Sequence, residues 1–321
     1  MLSNLLRSLL VIFSICVSTP SWAQAFPNKP IRMVVVVAAG GPVDTIARLV
    51  ADQMSLELGQ QIVVENRAGA GGTVGVRSVV TSEPDGYTIM LSTLQNFGIA
   101  PAIYPDAGAD ADKLVPVGLA VEFPFIFVVP SQVPANTPSE FIDYARRKKG
   151  ELNFGGSLAT PAHLLGLLFS RSYDLDIAYV PYRGLAPSIN DLLSARTHLA
   201  FDAMATLIPL IQDGKLRPLA VLSNKRSPIF PDVPTLTEVG IKNFPGNPWS
   251  GLVAPPGTPK AIIDRLNAAL NASLQTPRSA ELMKQLALTP IGGTPEYFKD
   301  RIAQEKPTWS ELTRLSGATP Q

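Results

Sequence analysis

The chain has 321 residues, 46% of them hydrophobic and 17% charged, with 24 glycines and 30 prolines. That length can hold two packed cores, and the composition excludes a disordered or low-complexity polymer. With 27 basic residues against 26 acidic ones the formal net charge is +1, so overall charge marks neither a nucleic-acid surface nor an anionic-membrane surface.

The first 25 residues read as a secretory signal. Arg7 supplies the positive flank, Leu9 to Val17 the apolar run, and Ser21-Trp22-Ala23 or Ala23-Gln24-Ala25 the small-residue cleavage pattern. The run is shorter than the roughly 20 residues needed to span a bilayer, so export to the periplasm with cleavage is expected. Cys16, the one cysteine, falls inside this segment, after Phe13-Ser14-Ile15 and without the small residue that lipid attachment needs. The mature chain therefore has no thiol for a disulfide, a thiolate–metal site or a cysteine nucleophile. Arg7 is the only charge in the segment, so its loss takes the net charge from +1 to zero.

Ile31 to Ala38 is β-branched and almost continuously apolar, the pattern of a strand buried on both faces. Ala39-Gly40-Gly41-Pro42-Val43-Asp44 follows, and Ile46, Leu49, Val50, Met54 and Leu58 then fall at helical spacing. Gln61 to Glu65 predicts a second strand, Gly69 to Thr73 a glycine-rich turn, Val74 to Ser82 a helix and Tyr87 to Leu91 a third strand. This β-α-β-α-β order predicts a parallel sheet with helices on both faces. Gly118 to Val129 is a strand-like run broken by Pro124. The alternation then resumes, with helices at 141–149, 161–173 and 185–194 and strands at 152–155 and 177–180. Strands at 199–203 and 216–222 flank a short helix at 208–213. Prolines crowd the stretch from Pro228 to Pro248, where the chain crosses between domains or runs as a long surface connection, which makes it the better boundary candidate. A strand at 251–254 and helices at 260–274, 279–286 and 295–315 complete the chain.

Several stretches together resemble the Bordetella uptake gene family, the receptors of tripartite tricarboxylate transporters. They are Gly40-Gly41-Pro42-Val43-Asp44 with Ala47-Arg48, Val64 to Thr73, Pro84-Asp85-Gly86-Tyr87-Thr88, His163-Leu164, Val180-Pro181-Tyr182-Arg183-Gly184, Pro231 to Thr235, and Trp249 with Pro255 to Pro259. The resemblance covers nearly the whole mature chain. It implies the type II periplasmic-binding-protein fold: two α/β domains with mainly parallel sheets, helices on both faces and a ligand cleft between them. The first domain would be discontinuous, 26–123 joined to 249–321, with 124–248 as the second, and hinge closure would capture the ligand. The implied partners are a small carboxylate ligand and the membrane permease of a tripartite transporter. A monomer without cofactor, metal or catalytic activity is expected, and no nucleic acid.

In open parallel sheets ligands bind beyond the carboxyl ends of the strands, where helix N-termini present backbone N–H groups. Gly40-Gly41-Pro42 occupies that place in the first domain and suits a carboxylate without an arginine. Gly155 to Thr160 occupies it in the second, where the hydroxyls of Ser157 and Thr160 can donate. The resemblance implies ligand contacts at Ala39, Gly40, Gly41, Ser157, Ala159 and Thr160, partly through water. Leu158 and Thr160-Pro161 make the second loop bulkier than the family's usual glycine- and serine-rich form. Asp44 is also a candidate, although a helix-opening aspartate paired with Arg48 at i, i+4 is the plainer reading. Asp202, after an apolar strand, could accept from a ligand amine, hydroxyl or bridging water. Thr93 and Asn96 could line the same mouth, or serve only as turn residues. Arg183 is as readily a surface arginine as a ligand partner, and His163 reads as a structural histidine on an apolar face.

Two other functions fit less well. A hydrolase built on Ser157, His163 and Asp202 lacks the Gly-x-Ser-x-Gly elbow, and only His163 and His198 could supply an imidazole. Two unpaired histidines and no mature cysteine also leave no metal-ligand pattern. A sensor signalling to a membrane kinase would have the same fold and site and differ only in its partner. The stretch 69–75 lacks the last glycine of a dinucleotide fingerprint, and there is no phosphate-binding Gly-Lys-Ser/Thr loop.

Overall fold

The computed structural model describes residues 26–319 apart from 38, 41, 105–107, 109, 183, 184 and 243. The expected signal segment 1–25, Gly41 and Arg183 lie outside the described residues. The first β-branched run forms β1 (Ile31–Val35), and α1 follows as Pro42–Leu58. The positions at helical spacing in α1, Ile46, Leu49, Val50, Met54 and Leu58, are all buried. They pack on Met33 and Val35 of β1. β2 (Ile62–Asn66), α2 (Thr73–Val80) and β3 (Thr88–Thr93) complete the first winding. A wide turn at Gln95–Ile99 and a short helix α3 (Ala100–Ile103) lead to β4 (Val115–Glu122).

The break read at Pro124 is where the chain leaves one sheet for another. β5 (Phe125–Pro130) is followed by α4 (Pro138–Arg147), β6 (Leu152–Gly156), α5 (Pro161–Ser172), β7 (Ile177–Pro181) and α6 (Leu185–Leu193). Then come β8 (Ala200–Ala203), α7 (Met204–Gln212) and β9 (Leu216–Val221). Helix α7 begins four residues before the expected start because Pro209 lies inside it rather than at its opening. The chain returns to the first sheet as β10 (Trp249–Ala254). It ends with α8 (Lys260–Leu274), α9 (Pro277–Gln285), the two-residue β11 (Thr289–Pro290) and α10 (Pro295–Leu315).

The large sheet has the order β11-β4-β10-β3-β1-β2. β1 pairs parallel with both β2 and β3, as the β-α-β reading predicts. β10 lies antiparallel between β3 and β4. In the second domain β6 and β7 are parallel, a bridge from Phe154 to Leu199 sets the start of β8 alongside β6, and β5 runs antiparallel between β8 and β9. The sheets are therefore mixed rather than mainly parallel. The reason is the same in each: the strand that enters from the other domain, β10 or β5, inserts against the direction of the wound strands.

Stacked phenylalanines fill the second core. The rings of Phe127 and Phe201 are 4.6 Å apart and those of Phe127 and Phe169 are 5.0 Å apart, and each such pair contributes about 0.5–1.5 kcal/mol beyond its buried area. One apolar cluster continues from these residues to Trp249, Phe298 and Trp309 of the first domain. The two crossing segments are laced together, Phe123 N–H donating to Pro248 O (2.7 Å) and Phe125 N–H to Asn247 Oδ1 (3.1 Å).

Candidate functional site

The parallel register places the loops that follow β1 and β3 at one edge of the first sheet, and those that follow β6 and β8 at one edge of the second. In the first domain Gly40 has φ +89°, and a Cβ there would meet nothing within 4 Å. Backbone conformation, not space, calls for glycine at that position. Its N–H donates to Asp44 Oδ2 (2.9 Å), so this amide is spent inside the loop rather than offered outward. Ala39 beside it is exposed.

Asp44, only 3% exposed, is the centre of the loop. Arg48 Nε donates to its Oδ2 and Arg48 Nη2 to its Oδ1, both at 3.0 Å, and Asn66 Nδ2 donates to Oδ1 at 2.8 Å. Asn66 Nδ2 also reaches Val37 O at 3.0 Å, which ties the end of β2 to the loop after β1. The bidentate Arg48 guanidinium, then the Gly40 and Asn66 donors, outweigh burial and hold the carboxyl down at about 2. Asp44 therefore shapes the loop, in accord with its pairing at i, i+4.

Thr93 closes β3, and both its N–H (2.9 Å) and its Oγ1 (3.2 Å) bond to Asn96 Oδ1. Asn96 is buried and lies across Gly72, where a Cβ would fall 2.6 Å from Asn96 Nδ2 and 3.1 Å from Val36 Cβ. The glycine-rich turn thus has a packing role: Gly72, at φ +91°, lets Asn96 and β1 approach the start of α2.

In the second domain Thr160 is the N-cap of α5, its Oγ1 accepting from His163 N–H (3.5 Å) and donating to Ser157 O (2.8 Å). The cap occupies the hydroxyl that the sequence suggested as a ligand donor. Ala159 N–H donates to His163 Nδ1 (3.2 Å). His163 is 1% exposed, its ring centroid 3.8 Å from that of Tyr179, and burial pushes its pKa down to about 4. Asp202, at the end of β8, accepts from Ala203 N–H (2.7 Å), and burial raises its carboxyl to about 6. Among the described residues no cation pairs with it. The arrangement does not suit a Ser157–His163–Asp202 triad: the imidazole is buried and its Nδ1 accepts from Ala159 N–H, where a triad would have Nδ1–H donate to the aspartate. Among the described residues no group of three or more His, Cys, Asp or Glu could hold a metal, and no helix is long and apolar enough to cross a membrane.

Sequence reasoning overlooked the residues at the crossings. Asn247 Nδ2 reaches Glu122 Oε2 at 3.4 Å, Arg301 Nη2 pairs with Glu122 Oε1 at 2.9 Å, and Arg301 Nε pairs with Glu305. Trp249 Nε1 donates to Glu305 Oε2 at 2.8 Å. The network binds α10 to both crossing strands, and Asn247-Pro248-Trp249 in the proline-dense stretch was its only sequence signal. A pocket of about 430 Å³ between Leu222–Gly246 and Tyr297–Glu305 adjoins it but shares no lining residue with the two helix-opening loops.

Two α/β domains joined by two crossings, with helix-opening loops at the carboxyl ends of their strands, form the architecture of a type II periplasmic binding protein. The chain belongs to the family described as "Tripartite tricarboxylate transporter family receptor", which it matches over residues 46–314. It is 34% identical over 305 residues to protein BugT of Bordetella pertussis, covering 94% of each chain. Two solved structures are also similar. The R. palustris protein solved with adipate is 31% identical at a TM-score of 0.76, over 92% of this chain and 100% of that one. MatC from Rhodopseudomonas palustris with bound malate is 31% identical at a TM-score of 0.72, over 90% of this chain and 100% of that one.

Proposed function

We propose that the chain is an exported receptor that captures a small dicarboxylate between two domains, 26–123 with 249–321 and 124–248, and delivers it as a monomer to the permease of a tripartite transporter. The observation that carries this reading is the pairing of two helix-opening loops, 39–44 and 157–163, at the carboxyl edges of the two sheets. Helix N-termini attract carboxylates without a fixed cation, which fits loops whose own charge, Asp44, is already neutralised by Arg48. Ala39, Gly40 and Gly41 with Thr93 and Asn96 would line one wall, and Ser157, Ala159, Thr160 and Asp202 the other. The similar proteins solved with adipate and with malate support a dicarboxylate. Asp202 would take a ligand hydroxyl or a bridging water. Residues 1–25 would direct the chain to the periplasm and be removed, and the family's transporter supplies the membrane partner.

A thermal-shift screen of the mature chain tests this. The panel is mono-, di- and tricarboxylates, aromatic acids, and acidic amino acids with their amides. A ligand at 100 times its Kd stabilises by about 2.7 kcal/mol, so dicarboxylates should raise the midpoint and the side-chain amides, which keep only one carboxylate, should raise it less. If no carboxylate moves the midpoint, the anion site is wrong.

A further inference from the structure

The two ligand loops share one local device. In the first, Gly40 has φ +89°, Pro42 opens the helix two residues later, and the N–H of Gly40 is taken by the side chain of Asp44. In the second, Ala159 has φ +56°, Pro161 opens the helix two residues later, and the N–H of Ala159 is taken by the side chain of His163. The spacing is the same in each: a left-handed residue, a proline at the first helical position, and an acceptor four residues on, at the third helical position. Glycine holds that conformation freely, whereas alanine does so only against its Cβ, so the second loop needs its clamp more.

We infer that His163 is a positioning residue, the counterpart of Asp44, that holds the loop Ser157–Thr160 in its ligand-ready shape through Ala159 N–H without touching ligand itself. The inference rests on the reading of that loop as one half of the dicarboxylate site. Nδ1 can accept only in the neutral tautomer that carries its proton on Nε2. Burial favours the neutral ring, which is 1% exposed, stacks on Tyr179 (centroids 3.8 Å apart) and has Phe154 packed beside that stack (6.3 Å). The same stack pins the other end of the loop, because Tyr179 Oη–H donates to Gly156 O at 2.9 Å and Tyr182 N–H donates to that oxygen at 2.9 Å. Gly156 O and Ala159 N–H are thereby both fixed by this aromatic cluster and its neighbours. A charged clamp serves the first loop, where Arg48 balances Asp44; the second uses an uncharged acceptor and adds no charge to the site.

The test combines a spectroscopic signature with rescue. Long-range proton–nitrogen NMR of the ligand-free wild type should show His163 as the Nε2–H tautomer at neutral pH. His163→Phe keeps bulk and removes the acceptor, whereas His163→Asn places Oδ1 where Nδ1 was. His163→Phe should speed exchange of the Ala159 amide and weaken calorimetric binding of adipate or malate by about tenfold each, the worth of one buried hydrogen bond. His163→Asn should restore both to within about threefold. An Nδ1–H tautomer in the wild type overturns the inference, as do Phe and Asn variants that bind equally well. The tautomer measurement stands even where His163→Phe does not fold. If neither dicarboxylate binds wild type, the ligand reading falls, while tautomer and amide exchange still decide the clamp.

Discussion

Asp44→Asn is the sharpest single test of how the first loop is held. The change keeps shape but removes the charge that Arg48 Nε and Nη2 meet at 3.0 Å, and it turns one acceptor oxygen into a donor facing other donors. The wild-type carboxyl lies at about 2 against an ordinary 3.8, which at about 1.4 kcal/mol per pH unit would correspond to roughly 2.5 kcal/mol of linked stability. Arg48 leaves 49% of its side chain in water, and screening reduces the share to about 1 kcal/mol. Because the folded value is depressed, this stability is fully present above pH 3.8 and is lost as pH falls through about 2. Thermal unfolding of wild type and variant, followed by circular dichroism from pH 7 to pH 2, should show the variant about 2–4 °C lower near neutrality, with the gap closing in acid. A gap of constant size at every pH would refute the argument, because a purely steric defect has no proton linkage.

Three further outcomes follow from buried groups elsewhere. Asp202 is raised to about 6 by burial, so the fold favours its protonated form and loses stability as pH rises from about 4 through 6. Asp202→Asn should then be more stable than wild type at pH 8, by up to roughly 2 kcal/mol, and equal to it near pH 4; denaturant titrations at both values check this, and a less stable variant at pH 8 contradicts it. Arg301→Met leaves Glu122 and Glu305 facing each other without their shared cation, which should cost about 3–5 kcal/mol at pH 7. The loss should shrink at pH 4.5, where burial helps Glu305 keep its proton; the same loss at both pH values would exclude the charge explanation. Ser250 Oγ is buried without a partner among the described residues, so Ser250→Ala should be neutral or stabilising by up to about 1 kcal/mol in calorimetry, and a clear drop in Tm would reveal a bond the hydroxyl makes.

Much of the fold was legible because it is local. The period of Ile46, Leu49, Val50, Met54 and Leu58 marks one face of α1, and those side chains are the ones buried. Helices 260–274 and 295–315 end where their patterns end. The two helix-opening loops were partly readable for the same reason: small residues, then proline, then a helix is a short-range signature, whereas the left-handed φ of Ala159 left no trace in the sequence.

The direction of β5 and β10 was not readable. No local pattern separates an apolar strand that continues a winding from one that enters from the other domain and runs against it, and the β4–β5 run looked like one broken strand until its halves fell in different sheets. The uses of particular polar atoms were hidden likewise. That Gly40 N–H and Thr160 Oγ1 are spent within their own loops depends on side-chain geometry. Glu122, Asn247, Arg301 and Glu305 become one network only when strands and α10 from distant parts of the chain meet. Residue order within a few turns of chain was enough to specify most elements and to mark the two helix-opening loops. Which atoms those loops keep for themselves, and what holds the crossings, were decided by contacts that packing alone creates, because a hydrogen bond or ion pair between distant segments leaves no periodic trace in either one.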